Sequence, residues 1–400
     1  MGIKIGIVGV GAFAQSFIPL FKAHPWVDQV VLCDLDAAKL AENAAKHGIP
    51  RTSPSLDHLL TTDVDAVAII TQNWMHAPQA IQALRAGRHV YSAVPAGIAV
   101  DEIAALVRAV NETGLIYMMG ETTYYYPGTI YCRQQYERGA FGRIVYGEGE
   151  YYHDWDHGLY EVMKWRGGER WLETAGGPPM HYPTHSTSGI ISVTGAHMTH
   201  VSCQGFIDTV DDGIYKPDAN LWRNVFSNES ALFKMSDGSI CRINEFRRIG
   251  HPGTVRMSLW GTTGSFESNA AGSVWVTKDA GRTLRLDDVL ACSGVPAAVP
   301  PVRREAMDVV TSMDGTHLGV SAVHPVERLP KEFIGLPNGH AGSHQFLVHD
   351  FVTACVARRT PPNNVWQAAR YTVPGIIAHE SAVQGGALLE IPDFGDPPQA

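Results

Sequence analysis

The first 120 residues alternate between short, wholly apolar stretches and longer stretches in which apolar residues recur with helical spacing. Short β-branched runs predict buried strands, and the amphipathic segments predict helices. The predicted strands are Ile3 to Val8, Gln29 to Cys33, Asp65 to Ile70, His89 to Ser92 and Leu115 to Met119. The predicted helices are Ala12 to Ala23 (bent at Pro19), Asp36 to His47, Pro78 to Ala86 and Asp101 to Thr113. This alternation indicates parallel βαβ units, so we predict a doubly wound domain over residues 1–120.

The pattern changes after residue 120, where short runs separated by turn residues predict a large, mostly antiparallel sheet with few long helices. The predicted strands are Tyr146 to Tyr152, His200 to Phe206, Ser230 to Lys234, Ser239 to Phe246, Arg256 to Trp260 and Ser273 to Val276. Helical spacing returns at His344 to Arg358 and Val365 to Gly386. Residues 290–340 predict a long surface segment able to cap a site. We therefore expect a second α/β domain over residues 121–400.

Composition and charge narrow the class of protein. The chain has 400 residues, 45% of them hydrophobic, and a formal net charge of -9 without a basic block, which disfavours nucleic-acid partners. The six cysteines form no CxxC pair and predict buried thiols. A strand predicted from residue 3 leaves no room for a signal peptide, and no apolar run has membrane-spanning length. We expect a cytoplasmic protein without a membrane partner.

A glycine-rich turn follows the first predicted strand and opens the first predicted helix. It reads G-x-G-x-x-A and consists of Gly9, Val10, Gly11, Ala12, Phe13 and Ala14. Such a turn lets the backbone approach a pyrophosphate at a helix N-terminus, and an acid after the second strand accepts hydrogen bonds from a ribose. Asp34 stands at that position and would repel a 2′-phosphate, which favours NAD over NADP. The alternative is a fold that kept this turn and lost the cofactor.

Several stretches resemble the Gfo/Idh/MocA oxidoreductase family. They are the glycine-rich turn, "VDAVAIITQNWMHAPQAIQALRAGRHVY", "GRIVYGEGEY" and "HESAVQGGALLEIPDFG". The resemblance implies an N-terminal Rossmann domain and a C-terminal α/β domain whose sheet carries the substrate site, in a homodimer or homotetramer. It also implies that Asn73, His76, Val94 and Pro95 contact NAD, with the nicotinamide near residues 93–95.

The chain departs from the sugar dehydrogenases of this family at two positions. Their Glu-Lys-Pro tripeptide, whose lysine helps to remove a hydroxyl proton, reads Ala93-Val94-Pro95 here. In their Gly-Gly…Asp…His signature, Tyr182 stands where the aspartate would be, and His185 comes one place early. A valine cannot move a proton, so catalysis is either lost or carried by another group.

These departures are similar to glycoside hydrolase family 109, whose NAD-dependent members also have Val-Pro in place of Lys-Pro. The matching stretches are Tyr182 to His185 (Tyr-Pro-Thr-His), Met118 to Glu121 (Met-Met-x-Glu) and, loosely, His340 to Gly342 (His-Gly-Gly). The similarity implies that the sugar is oxidised transiently at C3, loses its C2 proton, expels the leaving group from C1, adds water and is reduced again.

Tyr182, His185 and Glu121 are the candidate proton-transfer residues. For each of them a different interpretation stays open. Tyr182 and His185 can instead form a structural hydrogen bond in the core, and Glu121 can hold a cofactor ribose or form a surface salt bridge. His181 and His185 can be considered as zinc ligands, but no cysteine or clear carboxylate completes the set, so we expect no metal.

Candidate substrate residues lie in two further places. The run from Tyr151 to Trp171 combines aromatic and charged side chains, as sugar sites do, and its His153, Lys164 and Arg166 could bind an anionic sugar. The same run can instead be a solvated loop. His340 and His344 follow Gly339 and begin a predicted helix, so that they either turn into the crevice, as we expect also of His181, or cap the helix.

Three functions agree with this sequence. The first is an NAD-dependent glycoside hydrolase, with an anionic, for example sulfonated, sugar among the possible substrates. The second is an NAD-dependent sugar oxidoreductase that uses Tyr182 or His185 as its base. The third is a protein that senses NAD or a sugar without catalysis. The missing lysine disfavours the second function, and the ionisable residues around the expected site disfavour the third.

Overall fold

A computed structural model describes residues 2–279, 281–293 and 316–398. Its first sheet has six parallel strands in the order β3-β2-β1-β4-β5-β6. The strands are β1 (Ile3–Val8), β2 (Val27–Cys33), β3 (Thr52–Ser53), β4 (Ala66–Ile69), β5 (His89–Ser92) and β6 (Tyr117–Met119). The helices are α1 (Ile18–Ala23), α2 (Ala37–His47), α3 (Leu56–Leu60), α4 (His76–Arg85) and α5 (Val100–Thr113). The predicted doubly wound sheet is confirmed.

The predicted helix from Ala12 to Ala23 is wrong in detail. A short 3-10 turn at Phe13–Ser16 comes first, and α1 begins only at Ile18. The break therefore falls at Phe17 and not at Pro19. Pro19 lies in the first turn of α1, where its missing N–H costs no hydrogen bond, so it starts the helix and does not bend it.

The second sheet has nine strands in the order β14-β13-β12-β11-β7-β10-β9-β8-β15. The strands are β7 (Ile144–Tyr152), β8 (Met198–Ile207), β9 (Phe226–Met235), β10 (Ile240–Phe246), β11 (Thr254–Gly261), β12 (Gly264–Asn269), β13 (Gly272–Thr277), β14 (Leu284–Arg285) and β15 (Leu389–Glu390). Among the described strands of this sheet, β7 and β10 pair in parallel, and the other neighbours are antiparallel. The predicted mostly antiparallel sheet is confirmed, although β12 and the two-residue strands were not predicted.

Helices are more frequent in the second half than the sequence pattern predicts. They are α6 (Pro127–Glu137), α7 (Leu159–Gly167), α8 (Trp171–Ala175), α9 (Thr184–Thr194), α10 (Asp287–Leu290), α11 (Gly339–Ala357) and α12 (Val365–Val383). Further 3-10 turns lie at Asn73–Met75, Thr122–Tyr125, Trp155–His157, Gly168–Arg170, Pro179–His181, Val326–Arg328 and Lys331–Phe333. The sequence of α9, THSTSGIISVT, is poor in strong helix formers, but burial of most of its length stabilises it as a helix.

Helix α11 packs against the first sheet. Phe346 and Phe351 of α11 share a core with Phe17 and Phe21, which come from the segment after β1. Part of the predicted surface segment 290–340 joins the same core, since Phe333 is fully buried there. Residues 294–315 of that segment lie outside the described residues, so its predicted capping role stays a prediction. No helix among the described residues has the length and apolarity to cross a bilayer.

Helix α12 approaches the chain before α9 so closely that only glycine fits at residue 375. A Cβ on Gly375 would lie 2.1 Å from the carbonyl oxygen of Met180 and 2.5 Å from Cγ of Pro183. The contact is with backbone and with a ring, neither of which can rotate away. This close approach fixes α12 against the turn that carries Tyr182.

We expect Gly375→Ala to destabilise the protein by about 1–3 kcal/mol, because the added methyl overpacks a rigid contact. In an unconstrained helix the same change would stabilise by about 1 kcal/mol, so the sign alone is informative. Urea unfolding measures the change. Gly250→Ala is the control, because a Cβ there meets nothing within 4 Å. An unchanged or higher midpoint for Gly375→Ala would contradict the packing.

Candidate cofactor and active site

The glycine-rich turn after β1 has a geometry that only glycine adopts without strain. Gly9 has φ +87°, and a Cβ on it would lie 2.4 Å from the carbonyl oxygen of Ile70. The next residue, Val10, donates its amide hydrogen to Oδ2 of Asp34 at 3.0 Å, and Oδ1 of Asp34 accepts from the amide of Asp36 at 3.0 Å. The Asp34 carboxylate is thus fixed at the end of β2, as the sequence predicts for a ribose-binding acid.

Gly11 lies against an aromatic side chain from the second half of the chain. A Cβ on Gly11 would meet Cη2 of Trp165 at 2.8 Å, and the ammonium group of Lys39 lies 5.5 Å from the centre of the Trp165 ring. Helix α7 therefore reaches the glycine-rich turn. The sequence analysis interpreted the run from Tyr151 to Trp171 as a sugar site or a solvated loop and missed this contact, because nothing in the local sequence links residue 165 to residue 11.

The residues around this turn fit a dinucleotide. Gly9 and Gly11 present backbone without side chains, Asp34 supplies a carboxylate, and Ala14 is buried so that the following chain packs close to β1. Ala12 has helical backbone angles and opens the 3-10 turn. These are the features that a Rossmann fold uses to hold NAD.

Asn73 and His76 follow β4 at the carboxyl edge of the sheet. His76 is buried, with Nδ1 2.8 Å from the carbonyl oxygen of Pro95 and Nε2 3.1 Å from that of Thr71. Both ring nitrogens of His76 thus face backbone, so the ring links two loops at this edge. The Asn73 side chain accepts a hydrogen bond from the amide of Trp74. Direct contact of either residue with NAD stays a prediction.

The position of the missing lysine is apolar. Val94 is buried and packs within the hydrophobic core, and the bond between Val94 and Pro95 is cis. The loop begins where the amide of Ala93 donates to the carbonyl of Ile69 at the end of β4. At the expected nicotinamide position the loop therefore presents an apolar surface, and Val94 has no group that exchanges a proton.

A buried ion pair joins the first sheet to α9. Glu121 lies just after β6 and His185 is the second residue of α9; Nδ1 of His185 lies 2.8 Å from Oε1 of Glu121. The same Oε1 accepts the amide hydrogen of Thr123 at 2.8 Å. Glu121 is 0% exposed, so the interpretation as a surface salt bridge is wrong.

The two partners shift each other's pKa. Burial raises the pKa of Glu121, but the charge and hydrogen bond of His185 outweigh it, and the net pKa is lowered. Burial lowers the pKa of His185, but Glu121 outweighs it, and the net pKa is raised. The pair therefore holds a carboxylate against an imidazolium, and this arrangement fixes the orientation of the His185 ring.

Tyr182 lies beside this pair in an irregular turn, with φ -126° and ψ 56°. Its ring meets the His185 ring edge-on, with centroids 5.5 Å apart, while Nδ1 of His185 bonds to Glu121. Tyr151 of β7 completes an aromatic cluster, 5.9 Å from Tyr182 and 5.3 Å from His185. Burial raises the pKa of Tyr182. Sequence reasoning missed Tyr151, although alternation along β7 points it to the same face as Gly149, which packs on α9.

His340 and Ala341 adopt left-handed backbone angles, with φ of 48° and 52°. The predicted helical start at these residues is therefore wrong, since regular helical angles begin only after Gly342. Non-glycine residues in this region cost about 1–3 kcal/mol each and are concentrated at functional sites. The strained backbone turns the chain before α11 proper begins.

The side chains of His340 and His344 contact the glycine-rich turn. Phe13 lies edge-on to both rings, with centroid distances of 5.5 and 5.8 Å, and His344 also packs on Phe17 at 4.5 Å. Nδ1 of His340 lies 2.9 Å from Nε2 of His344. Burial and the positive charge of His185 lower the pKa of His340 to about 4. His340 is thus close to both the ion pair and the glycine-rich turn, and the hydrogen bond with His344 holds its ring in place.

His153 and His181 have other partners. Nδ1 of His153 lies 2.9 Å from the Tyr151 hydroxyl, so His153 joins the site through that tyrosine. His181 packs edge-on to His379 of α12 at 5.2 Å, and burial followed by His379 lowers its pKa to about 3. His181 and His185 therefore contact different partners. Among residues 2–279, 281–293 and 316–398, no group of three or more metal-ligating side chains is close enough to hold an ion.

Lys164 and Arg166 project from α7 and are exposed. The Lys164 ammonium group lies between the rings of Tyr160 and Trp171, at 5.8 and 5.5 Å from their centres. Burial raises the pKa of Tyr182, and the positive charge of Arg166 opposes that rise. The two cations are available to a ligand that enters beside α7, and their contact with substrate stays a prediction.

Residues 3–121 match the family described as "Oxidoreductase family, NAD-binding Rossmann fold". A protein named "Glycosyl hydrolase family 109 protein" from Streptomyces niveus is 25% identical over 418 aligned residues, 98% of this chain and 77% of that protein. A 4-carboxy-2-hydroxymuconate-6-semialdehyde dehydrogenase from Sphingobium sp. is 33% identical over 138 residues, 34% of this chain and 44% of that protein.

Two solved structures show how far the fold likeness extends. Levoglucosan dehydrogenase in complex with NADH and levoglucosan has a TM-score of 0.74 at 18% identity, covering 98% of this chain and all of that one. A myo-inositol 2-dehydrogenase from Lactobacillus plantarum has a TM-score of 0.68 at 19% identity, with coverages of 98% and 100%. At these identities the likeness shows the fold alone. Over residues 3–121 the chain matches the NAD-binding Rossmann domain of the Gfo/Idh/MocA oxidoreductase family, and over nearly its full length it resembles proteins named glycosyl hydrolase family 109.

Proposed function

We propose that this protein is an NAD-dependent glycoside hydrolase that oxidises its sugar transiently at C3. The observation that carries the proposal is the buried Glu121–His185 ion pair, which lies beside Tyr182 and close to the cofactor turn. The pair supplies proton-transfer groups at the site, whereas Val94 stands where the sugar dehydrogenases have their catalytic lysine. The similarity to proteins named glycosyl hydrolase family 109 supports the same function.

The reaction is a hydrolysis in which the redox change cancels. NAD, held by the turn of Gly9 and Gly11 and by Asp34, would supply the hydride acceptor for C3, while a protein base would take the proton of the C3 hydroxyl. The C3 ketone acidifies the proton on C2, a protein base removes that proton, and the aglycone leaves C1 with a proton from a protein acid. Water then gives its hydroxide to C1 and its proton to the protein acid, the proton returns to C2, and the C3 ketone regains both its hydride and its hydroxyl proton. Net, one water is consumed and one glycosidic bond is broken.

The residues of the site divide this work according to their burial. Glu121 is fully buried, and its Oε1 is bonded to His185 and to the Thr123 amide, so its part in this scheme is to orient His185. With Nδ1 of His185 held by Glu121, Nε2 is the atom left to exchange a proton with the sugar. The Tyr182 hydroxyl is the neighbouring proton-transfer group. This is the arrangement of a base that a third group orients.

We propose an anionic sugar as the substrate class. Arg166 and Lys164 lie on α7, and Arg166 contributes positive charge at Tyr182. A guanidinium group binds carboxylates, sulfonates and sulfates through paired hydrogen bonds. A sugar whose anionic group faces α7 would present its ring to Tyr151 and Tyr182, which offer flat apolar faces.

An NAD-dependent sugar oxidoreductase is the second candidate. The match of residues 3–121 to an oxidoreductase family and the fold shared with levoglucosan dehydrogenase favour it. In that reaction Tyr182 or His185 would remove the hydroxyl proton as the hydride leaves. Both candidates are enzymes that act on sugars, and they differ in whether the reduced cofactor accumulates.

We expect the protein to bind NAD⁺ well and NADP⁺ poorly, since Asp34 repels a 2′-phosphate. Replacing the carboxylate, as in Asp34→Ala, should narrow the difference in affinity by about tenfold or more, equivalent to at least ~1.4 kcal/mol. Calorimetric titration with both cofactors measures it. Glu42→Gln, which removes a carboxylate from the exposed side of α2, is the control and should keep the preference. Equal affinities in the unmodified protein would refute the role of Asp34.

We expect aglycone release without a steady rise in NADH, because the cycle returns its hydride. The assay incubates the protein with NAD⁺ and a panel of neutral and anionic aryl glycosides, and follows the aglycone and the 340-nm absorbance together. Product formed in D₂O should carry deuterium at C2, since that hydrogen is removed and replaced. Stoichiometric NADH without bond cleavage would establish the oxidoreductase instead. Cleavage without NAD⁺ and without deuterium would exclude the C3 mechanism.

We expect Tyr182→Phe and His185→Ala each to slow aglycone release by about 10²–10⁴-fold while NAD⁺ stays bound. In the pH profile of kcat/KM, the ionisation of His185 should lie above its ordinary 6.5, because Glu121 raises its pKa. In Glu121→Gln the main group that raises the pKa of His185 is gone and burial outweighs what remains, so that ionisation should move to lower pH. Activity that rises with pH through this ionisation identifies His185 as a base, and activity that falls identifies an acid. A profile identical in Glu121→Gln would contradict the coupling.

A further inference from the structure

The stretch that carries Tyr182 and His185 is irregular where its geometry matters most. A 3-10 turn spans Pro179–His181, Tyr182 has neither helical nor extended angles, and α9 begins at Thr184 without a side-chain cap. Local secondary structure therefore does not fix the spacing between the two side chains. Contacts from other elements must do so.

One buried carboxylate holds the beginning of this stretch. Glu229 of β9 is fully buried; its Oε2 accepts the amide hydrogen of Met180 at 2.8 Å, and its Oε1 lies 2.7 Å from Nδ1 of His379 on α12. Met180 comes two residues before Tyr182. Because both oxygens of Glu229 have partners, the side chain links β9, α12 and the turn.

A second buried carboxylate holds the end of the same stretch. Glu245 of β10 lies directly opposite Glu229 in the sheet and is also fully buried. One of its oxygens accepts a hydrogen bond from the hydroxyl of Ser186, which directly follows His185. Its other oxygen accepts from Arg247 at 3.1 Å, and Arg247 also donates to the carbonyl of Pro179 at 3.4 Å.

We propose that Glu229 and Glu245 are positioning residues that bracket the Tyr182–His185 stretch and set the distance between its two proton-transfer groups. This inference rests on the proposed function. Neither carboxylate touches substrate, because each is fully buried and each oxygen already accepts a hydrogen bond. They therefore do not form the acid and base pair of a two-carboxylate glycosidase, which must reach the scissile bond from both sides.

Charge balance supports the same role. Each carboxylate has its own cationic or proton-donating partner, His379 for Glu229 and Arg247 for Glu245. Burial raises the pKa of Glu245 to about 8, and Arg247 opposes that shift. Burying a carboxylate costs free energy unless its oxygens accept hydrogen bonds. The oxygens of Glu229 and Glu245 all accept them, and those hydrogen bonds hold the turn in place.

The test compares Glu229→Gln and Glu245→Gln with Glu150→Gln. Glu150 is a matched control because it is also buried, at 8% exposure, and bonds to Arg256 at 2.5 Å. It follows Gly149, whose Cβ would lie 2.2 Å from the carbonyl of Ser186, so Glu150 points to the opposite face of the sheet. The same chemical change is thus made with and without contact to the stretch.

Two measurements read the effect. Because a displacement of about 1 Å can cost roughly 10²-fold in rate, we expect kcat for aglycone release to fall at least tenfold in Glu229→Gln and Glu245→Gln, with KM nearly unchanged. We expect the proton between His185 and Glu121 to give a low-field NMR resonance, which its loss in His185→Ala would assign. We expect this resonance to shift or broaden in both variants and to stay in place in Glu150→Gln.

Two outcomes would overturn the inference: kcat within twofold of the native value with the resonance unmoved, or equal losses in Glu150→Gln. If the glutamine variants do not fold, Glu229→Asp and Ser186→Ala test the two ends with smaller changes, and the same expectations apply. The resonance is read without turnover. A native protein that releases no aglycone would therefore refute the proposed function and still leave the positioning role decided by the spectrum.

Discussion

The ion pair between Glu121 and His185 is the interaction on which the arrangement of the site depends. Removing two charges from water costs several kcal/mol per ion, and only close pairing with satisfied hydrogen bonds offsets that cost. Here one partner follows the last strand of the first sheet, and the other begins the helix that packs on the second sheet. If either partner moved, a charge would be left buried alone, at a cost of about 3–5 kcal/mol. The pair therefore forces α9, and Tyr182 before it, to stay at the edge of the first sheet.

The same rule explains the composition of the interior around α9. Three buried glutamates lie near the helix, and each pairs with one histidine or arginine side chain: Glu121 with His185, Glu229 with His379 and Glu245 with Arg247. Two of these pairs also tie separate elements together: Glu121 and His185 join the end of the first sheet to α9, and Glu229 and His379 join β9 to α12. The uncharged Val94 agrees with this charge pairing. A lysine at the same buried position would add a positive charge near a site whose charges are already paired.

Features set by local sequence were predictable. The strand-turn-helix order, the glycine at φ +87° and the acid after β2 follow from residue type and spacing alone, and the structure shows them. Helix α9 was not predictable, because its Thr, Ser and β-branched residues have low helix propensity and only burial stabilises it. The left-handed angles of His340 and Ala341 were not predicted either, since no glycine marks either position.

The candidate site was predictable in its members but not in their connections. Glu121 and His185 were both selected, yet their bond spans 64 positions and no spacing rule reaches that far. Tyr151 and Trp165 lay within a run recognised for its aromatic content, but which of its side chains face the site depends on the path of β7 and α7. Tertiary contacts decide which side chains face the site, and the hydrophobic periodicity of a single sequence does not reveal those contacts.

The contact between Trp165 and Gly11 means that the nucleotide pocket is not a property of the Rossmann half alone. The turn after β1 comes from the N-terminal sequence, but part of its wall is an indole contributed more than 150 positions later. A fragment that ended after β6 would keep the fold signature and lose that wall. In evolutionary terms the two halves are not freely exchangeable modules, since a Rossmann domain recombined with a different partner would inherit a different boundary to its cofactor.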